Sequence, residues 1–468
     1  MKSSRYLPMH LLALLLALLL VLLLAQRSAV AVDLQTALQA SLAQEPMLRA
    51  SVQAHQAARE LQPQALAALL PNLSANANPG RIDGSVSFFS DNPVARHYRS
   101  NNWALKLTQP IFRPQRLLDY VQAKTQTKQA QLRLQIAERD LILSVCQAYF
   151  DILIANDEVL LASAQRKLGQ EQLSVAELGL KIGRVLRADV LEAEMNYRRN
   201  RTQELQASND LMEKRNNLAR LTQLPLHSII GISNSTNLAI VPHIASHTAP
   251  WLAQASEYAL EVQAKKLALE SAQYEVKKQW AVQLPTVDLT LTRARYFEGG
   301  NINLPISAET NTHSTTLGLQ INIPLLSGGE SLSKVRQSQH LRAQAEAELA
   351  AARLDAQLKV KNSLQLLKFE QAQMESLVEA IKLSEILVGD TRSAVKIGSK
   401  INTDILAAQQ RQMGLQRDFN RLGYQSLLQG LRLRAAAGAL MIDDVLELNA
   451  WLEAQGKEVQ LSDENDGN

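Results

Sequence analysis

Cysteine is nearly missing: Cys146 is the single one in 468 residues, so no internal disulfide can form. It falls in a helical apolar stripe, where a buried, inert thiol is the ordinary reading. Aromatic residues make up only 4% of the chain, whereas Ala, Leu and Gln abound. That bias favours long helices packed through small side chains over a bulky globular core. Proline is absent from the 110 residues between Pro114 and Pro225 and does not recur after Pro324. Both tracts therefore lack the residue that breaks helix interiors. Long apolar runs are also scarce. Beyond the N-terminus none approaches the roughly 20 residues of a membrane-spanning helix, so entry into a membrane would require strands.

What is present begins with a leader. Lys2 and Arg5 precede the 14-residue apolar run Leu11–Leu24, and Ser28, Ala29, Val30 and Ala31 follow. A positive start, a short apolar stretch and an Ala-x-Ala end predict a removed secretory signal over 1–31, with Val32 opening the mature chain. No Cys stands at the cleavage point, which argues against a lipid-anchored lipoprotein. Removing Lys2, Arg5 and Arg27 takes the formal charge from +4 to +1. The mature chain then offers no general case for nucleic acid.

The mature chain is a duplication. "KIGRVLRADVLEAE" (181–194) and "KIGSKINTDILAAQ" (396–409) share Lys-Ile-Gly, an Asp six residues on, and an Ala-containing helical run. Pro71 and Pro285 lie 214 residues apart, as do Pro110 and Pro324, while Asp189 and Asp404 lie 215 apart. Landmarks in one order at one offset mark two copies of one unit. Each copy opens with helical sequence (34–69 and 251–283). Two strand-like segments follow, about 72–112 and 285–324. In "TLGLQINIP", Leu317, Leu319, Ile321 and Ile323 alternate with Thr316, Gly318, Gln320 and Asn322, and such alternation gives one apolar and one polar face. Polar segments at 79–102 and 298–314 read as loops. Each copy closes with a helical hairpin, 115–223 and 330–438. Steps of four and three place Leu141, Val145, Ala148, Ile152, Ala155, Val159 and Ala162 on one stripe. Val360, Leu364, Leu367, Met374, Val378 and Ile381 form its counterpart, interrupted by Gln371. A coiled-coil seam and ordinary bundle packing both fit these stripes.

Gly183 and Gly398 answer why the short phrase occurs twice. Each ends a helix of about 66 to 70 residues, or near 100 Å, because glycine tolerates positive φ at a helix end. A second helix then opens with Asp in its first turn, where the helix dipole favours an anion. Each phrase is thus a hairpin tip. Four strands per chain cannot close a barrel, and open edges are not tolerated in lipid. Several chains must therefore share one. Phe88, Phe89, Tyr98, Trp103, Tyr296 and Phe297 cluster at strand ends, as in an interfacial girdle or as packing under loops.

Other patterns carry no chemistry. His243 and His247 have the spacing of a metal pair, but Pro242 and Pro250 bracket them and no acid lies nearby to complete a site. Gly299-Gly300 sits in a polar loop, and Gly328-Gly329 is followed by Glu330 where a phosphate loop needs Lys and Ser or Thr. Carboxylates are spread along helices, and no nucleophile–base set can be assembled. No enzyme, metal or cofactor is expected.

The ordered set "TQPIF", "AYFDIL", "IPLLSGG" and Gly-x5-Asp-Val/Ile-Leu at both tips resembles the TolC family of outer-membrane efflux and type I secretion proteins, over nearly all of the mature chain. The resemblance implies a mainly α fold with a membrane β-barrel. Three chains would share twelve strands continuous with a periplasmic coiled-coil tunnel. It also implies a homotrimer in outer-membrane lipid, with a periplasmic adaptor and an inner-membrane pump or ABC transporter docking at the tips. Segments 231–250 and 439–468 would belong to an equatorial belt.

Family roles pass to this chain residue by residue. Asp404 matches an acidic ring at the periplasmic gate, while Ala407 stands where a second ring is usual. Asp189 and Lys400 match the family's acid–base latch. Val395 replaces a latch tyrosine, which implies either a looser latch or one that relies on Arg184 and Arg187. Ile182, Gly183 and Arg184, with Ile397, Gly398 and Ser399, match the adaptor-docking tips. Capping explains the two aspartates equally well, and chain reversal explains the glycines. The function expected is a passive exit duct. The rivals are a periplasmic adaptor, which should carry one hairpin flanked by lipoyl-like and barrel halves, and a coiled-coil scaffold, which leaves amphipathic strands and long polar loops without purpose.

Overall fold

The computed structural model describes residues 32–87, 93–225, 228–232, 248–300 and 308–460. The expected leader (1–31), Phe88, Phe89, and the pair His243 and His247 lie outside them. The chain runs α1 (Leu34–Gln44), α2 (Pro46–Arg59), α3 (Leu61–Ala67), β1 (Asn72–Val86), β2 (Val94–Phe112), α4 (Pro114–Lys181) and α5 (Arg187–Thr222). It continues through β3 (Ser228–Ile232), α6 (Thr248–Tyr258), α7 (Leu260–Ala281), β4 (Thr286–Glu298) and β5 (Thr310–Asn322). The last elements are α8 (Glu330–Lys396), α9 (Asn402–Ala436), α10 (Ile442–Gln455) and β6 (Gly456–Gln460). The long helices α4 and α8 hold 68 and 67 residues, as the proline-free tracts predict. No described helix is long and apolar enough to cross a membrane.

The chain forms two compact units. One comprises 50–135 and 260–354, and its centre is an antiparallel sheet in the order β1-β2-β4-β5. Each copy of the repeat supplies a hairpin, and β2 pairs with β4 to join them. Arg113 reinforces the joint, donating to both carboxylate oxygens of Asp288 at 2.7 and 2.5 Å. The other unit (1–49, 136–259, 355–468) is mainly helical over its described residues and also holds β3 and β6. Its core takes Val145, Tyr149 and Ile152 from α4, Val360 and Ile381 from α8, and Phe419 and Tyr424 from α9, all nearly inaccessible. Phe150 stacks on Tyr424 with ring centroids 5.6 Å apart.

Three expectations are corrected. The first is the pair of loops. Within the polar stretch 79–102, residues 79–86 and 94–102 are strand, since β1 and β2 stay paired from Asn72↔Thr108 to Val86↔Val94. The stretch 298–314 is strand at both ends, because Glu298 pairs with Thr310, which opens β5. Composition marks such segments as loop, because the apolar–polar alternation that announces a strand fades where both of its faces carry polar residues.

The second correction is the helical stretch 34–69, which is broken twice. Glu45 is extended, as suits the residue before Pro46, and its carboxylate accepts from the Met47 and Leu48 amides. Pro63 then sits in the first turn of α3, where no amide donor is needed. The third is the stretch 251–283, which divides at Ala259. There Gly438 crosses the Tyr258 carbonyl so closely that an added Cβ would stand 2.2 Å from that oxygen.

Short described parts of the two segments expected to form a belt are paired with each other. β3 and β6 form an antiparallel ribbon from Ser228↔Gln460 to Ile232↔Gly456, and Val32 bridges to Ile229 alongside it. The Tyr149 hydroxyl donates to the Ile230 carbonyl at 2.7 Å and accepts from the Ile230 amide at 3.1 Å. No periodicity in the sequence announces a pairing between strands so far apart.

Candidate functional site

The two tips close in the same way. At the first, the Arg184 amide donates to the Gly179 carbonyl at 2.8 Å and the Gly183 amide to the Leu180 carbonyl at 3.1 Å. At the second, Ser399 donates to Ala394 and Gly398 to Val395, both at 3.0 Å. This nested pair of bonds satisfies the last carbonyls of a helix and needs a left-handed residue between them. Gly183 and Gly398 supply it, with φ of +73° and +76°. Their flanking Ile182 and Ile397 are left 59% and 81% exposed, which is unusual for isoleucine and leaves an apolar knob at each turn. Arg184, Ser399 and Lys400 are also exposed.

Both aspartates serve their own helices. The Asp189 carboxylate accepts from the Leu186 amide at 2.8 Å, and Asp404 from the Ile401 amide at 3.0 Å. Leu186 and Ile401 occupy the N-cap positions in extended conformation, and neither has a side-chain acceptor. The aspartates three residues on therefore supply the capping oxygen. Asp189 is exposed and Asp404 half-buried. Within the single chain Asp189 and Lys400 are not paired with each other among the described residues. The structure thus brings each aspartate to a helix start, and leaves Lys400 in solvent.

In the sheet, register sorts residues by parity. Directly opposed residues share a face, and Leu73↔Leu107, Leu107↔Leu291 and Leu291↔Leu317 form one row, with Leu289↔Leu319 and Val287↔Ile321 beyond it. Odd-numbered positions of all four strands therefore share one face, apolar over the half of the sheet that carries this row, where Leu73, Leu317, Leu319 and Ile321 are more than half exposed. Even-numbered positions make the other: Asn76, Lys106, Thr290, Thr292, Thr316 and Gln320. Trp103, opposite Arg295, and Phe297, opposite Asn101, lie at one end of the apolar face. Tyr296 falls on the polar face, and Tyr98 is buried against Gly300. β1 and β5 each keep one edge without a described partner.

Polar groups inside the helical unit escaped the sequence reading. Asn420 donates to Asp157 at 2.9 Å, and Arg417 reaches Glu158 at 2.6 Å, tying α4 to α9. Burial pushes the Asp157 carboxyl up to about 6. Glu370 on α8 is buried, with Oε2 lacking a hydrogen-bond partner, and burial pushes it up to about 7. The partners of α4 and α9 are some 260 residues apart in sequence, and no local pattern links them. Cys146 is fully buried and its thiol is pushed up to about 12 by burial. Among the described residues no group of His, Cys, Asp or Glu is placed to hold a metal.

Known proteins share this architecture. The family model described as outer membrane efflux protein matches residues 37–222 and 251–439. The alkaline protease secretion protein AprF of Pseudomonas aeruginosa is 27% identical over 426 residues, covering 89% of this chain and 86% of its own. The proteases secretion protein PrtF of Dickeya chrysanthemi is 26% identical over 436 residues, covering 91% and 92%. Among solved structures, the CmeC outer membrane channel of Campylobacter jejuni superposes with a TM-score of 0.72 at 15% identity, over 90% of this chain and 89% of that one.

Proposed function

Because the chain belongs to the outer membrane efflux protein family, we propose that it is the outer-membrane exit duct of a tripartite export system, a passive conduit from periplasm to exterior. The observation that carries this reading is the sheet: one apolar face, one polar face and two open edges. An apolar outer face suits lipid and a polar inner face suits a water-filled lumen. Open edges need partners, since unpaired backbone is costly in lipid. Three copies joining β5 of one to β1 of the next would make a closed barrel of twelve strands, and a homotrimer follows.

The two exposed tips are the docking points for a periplasmic adaptor, through Ile182, Gly183 and Arg184 and through Ile397, Gly398 and Ser399. Asp404, Asp189 and Lys400 form the periplasmic gate. The names of AprF and PrtF favour protein secretion, with an ABC transporter as the inner-membrane partner, over drug efflux. Matched hairpins in both copies and the family assignment leave nothing in favour of a periplasmic adaptor or a scaffold.

Cysteine labelling of intact cells tests the orientation, since buried Cys146 gives no background. A Ser87→Cys variant, at the connection between β1 and β2, should react with a membrane-impermeant maleimide. A Ser399→Cys variant should react only after the outer membrane is permeabilised. Labelling of both from outside would remove the conduit as described.

A further inference from the structure

The apolar face of the sheet is not apolar to its end. Along β4 the odd positions run Val287, Leu289, Leu291, then Arg293, Arg295 and Phe297. Arg293 stands opposite Leu105 and Arg295 opposite Trp103, so both guanidiniums share the lipid-side face with the leucines. Farther along the same face Arg81 stands directly opposite Arg99. His313, opposite Arg295, is on it too. Against these four arginines the described strands set one acid on this face, Asp83, which already accepts from Arg81 and contacts His97 at 2.7 Å. Glu298 is on the other face, and Glu309 lies just before β5.

This placement is costly unless an anion is present. Like charges directly opposed across a strand pair destabilise it, and arginine on the lipid face is unfavourable in proportion to its depth. Yet Arg99 and Arg293 have no side-chain partner among the described residues. Asn311 accepts from Arg295 Nε at 3.0 Å, which holds that fork while its terminal donors have no partner among the described residues. From Val287 to Arg295 is about 27 Å along a strand, or roughly 20 Å of height at the usual tilt of about 40°. With Ile323 and Leu325 exposed beyond the other end of the sheet, the two arginines come at the outer limit of an apolar band of about 25 Å. Arginine's planar fork matches phosphate, and it binds there bidentately.

We propose that the odd-numbered face of this sheet binds the phosphate groups of a phosphorylated glycolipid in the outer leaflet, through Arg293 and Arg295 at the membrane boundary and Arg99 and Arg81 above it. Trp103 lies beside the lower pair, and its ring suits the same interface. The inference rests on the lipid-facing assignment of this face and uses neither the gate nor the docking tips.

The test titrates the full-length protein in detergent with three probes: lipid A carrying both phosphates, dephosphorylated lipid A, and inorganic phosphate. Binding is read by native mass spectrometry and by Trp103 fluorescence, with Trp103→Phe as the blank. The phosphorylated lipid should bind at least about tenfold more tightly than the dephosphorylated one, and millimolar phosphate should not displace it. The pair Arg293→Gln with Arg295→Gln should abolish that preference while single-channel conductance persists. Lys106→Gln, on the polar face of β2, should leave the preference unchanged. Equal binding of both lipids, an unaffected double variant, or displacement by free phosphate would each overturn the proposal. If the double variant fails to assemble, the preference of the unaltered protein decides. Loss of conductance alone would count against the conduit and not against the lipid site.

Discussion

Single residues divide into those that hold the chain and those assigned to its work. Gly438 belongs to the first group: its φ is +71° and a Cβ would meet the Tyr258 carbonyl at 2.2 Å. Gly438→Ala should lower stability by about 3 kcal/mol or more, through backbone strain and displacement of α6, as a reduced thermal midpoint in circular dichroism. Glu370 gives a pH dependence. Its folded carboxyl titrates at about 7 against an ordinary value of 4.5, with burial the main cause. Across that window the folded state keeps a proton that the unfolded chain releases, so stability falls as pH rises and levels off above about 7. Glu370→Gln should remove the slope and add about 1–3 kcal/mol at pH 8, the cost of an unsatisfied buried group. A melting curve that keeps its pH slope in the variant would point elsewhere. At the tips, each aspartate is a cap first, and the proposed latch adds a second role. Asp189→Ala together with Lys400→Ala should raise single-channel conductance in planar bilayers if the latch holds the gate. A lost cap costs only about 1 kcal/mol and alone would leave the open-channel current as it was.

Elements were legible in proportion to how regular their burial is. The seam residues Val145, Ala148, Ile152, Val360, Leu364 and Leu367 are buried as their spacing predicts, because a long helix must turn the same stripe to its neighbours. Val159 and Val378 are only half-covered within one chain. Alternation in β5 was equally plain, since lipid and lumen impose opposite demands on successive residues. The outer halves of β1 and β2 were not: burial still alternates there, with Ile82 and Tyr98 covered and Arg81 and Arg99 exposed, but both faces carry polar residues, and Asn, Gly and Asp signal a loop. Parity yields a direct test at this scale. Leu317→Arg, on the apolar face, should cost about 2–4 kcal/mol and reduce assembled protein in outer-membrane fractions. Thr316→Arg, its neighbour on the polar face, should assemble normally. Equal loss in both would show that the sheet does not separate lipid from water.

The whole molecule is defined by an incompleteness. The four-stranded sheet, whose β1 and β5 each keep an edge without a described partner, does not make a barrel, and the trimer proposed above is the smallest closure in which each β5 meets a β1 at a diameter leaving an open lumen. Chemical cross-linking of the detergent-solubilised protein should give a ladder ending at three chains. A ladder ending at two, or none, would sink the shared barrel. Duplication would give the proposed assembly quasi-sixfold character from three chains, and the polar contacts Asp157–Asn420 and Glu158–Arg417 show where the copies have diverged. The position 215 residues after Asp157 is Ala372, so the second copy cannot repeat them.

By itself the sequence determined the duplication, the two long hairpins with their glycine turns, and the four amphipathic strands. Each is written in local spacing, because backbone geometry fixes which residues share a face. Only the tertiary structure decided that β3 meets β6, that Gly438 divides α6 from α7 at Tyr258, and that Arg81, Arg99, Arg293 and Arg295 share one face. Those pairings join residues up to a few hundred positions apart, where the chain's order carries no trace of contact and the fold alone brings the partners together.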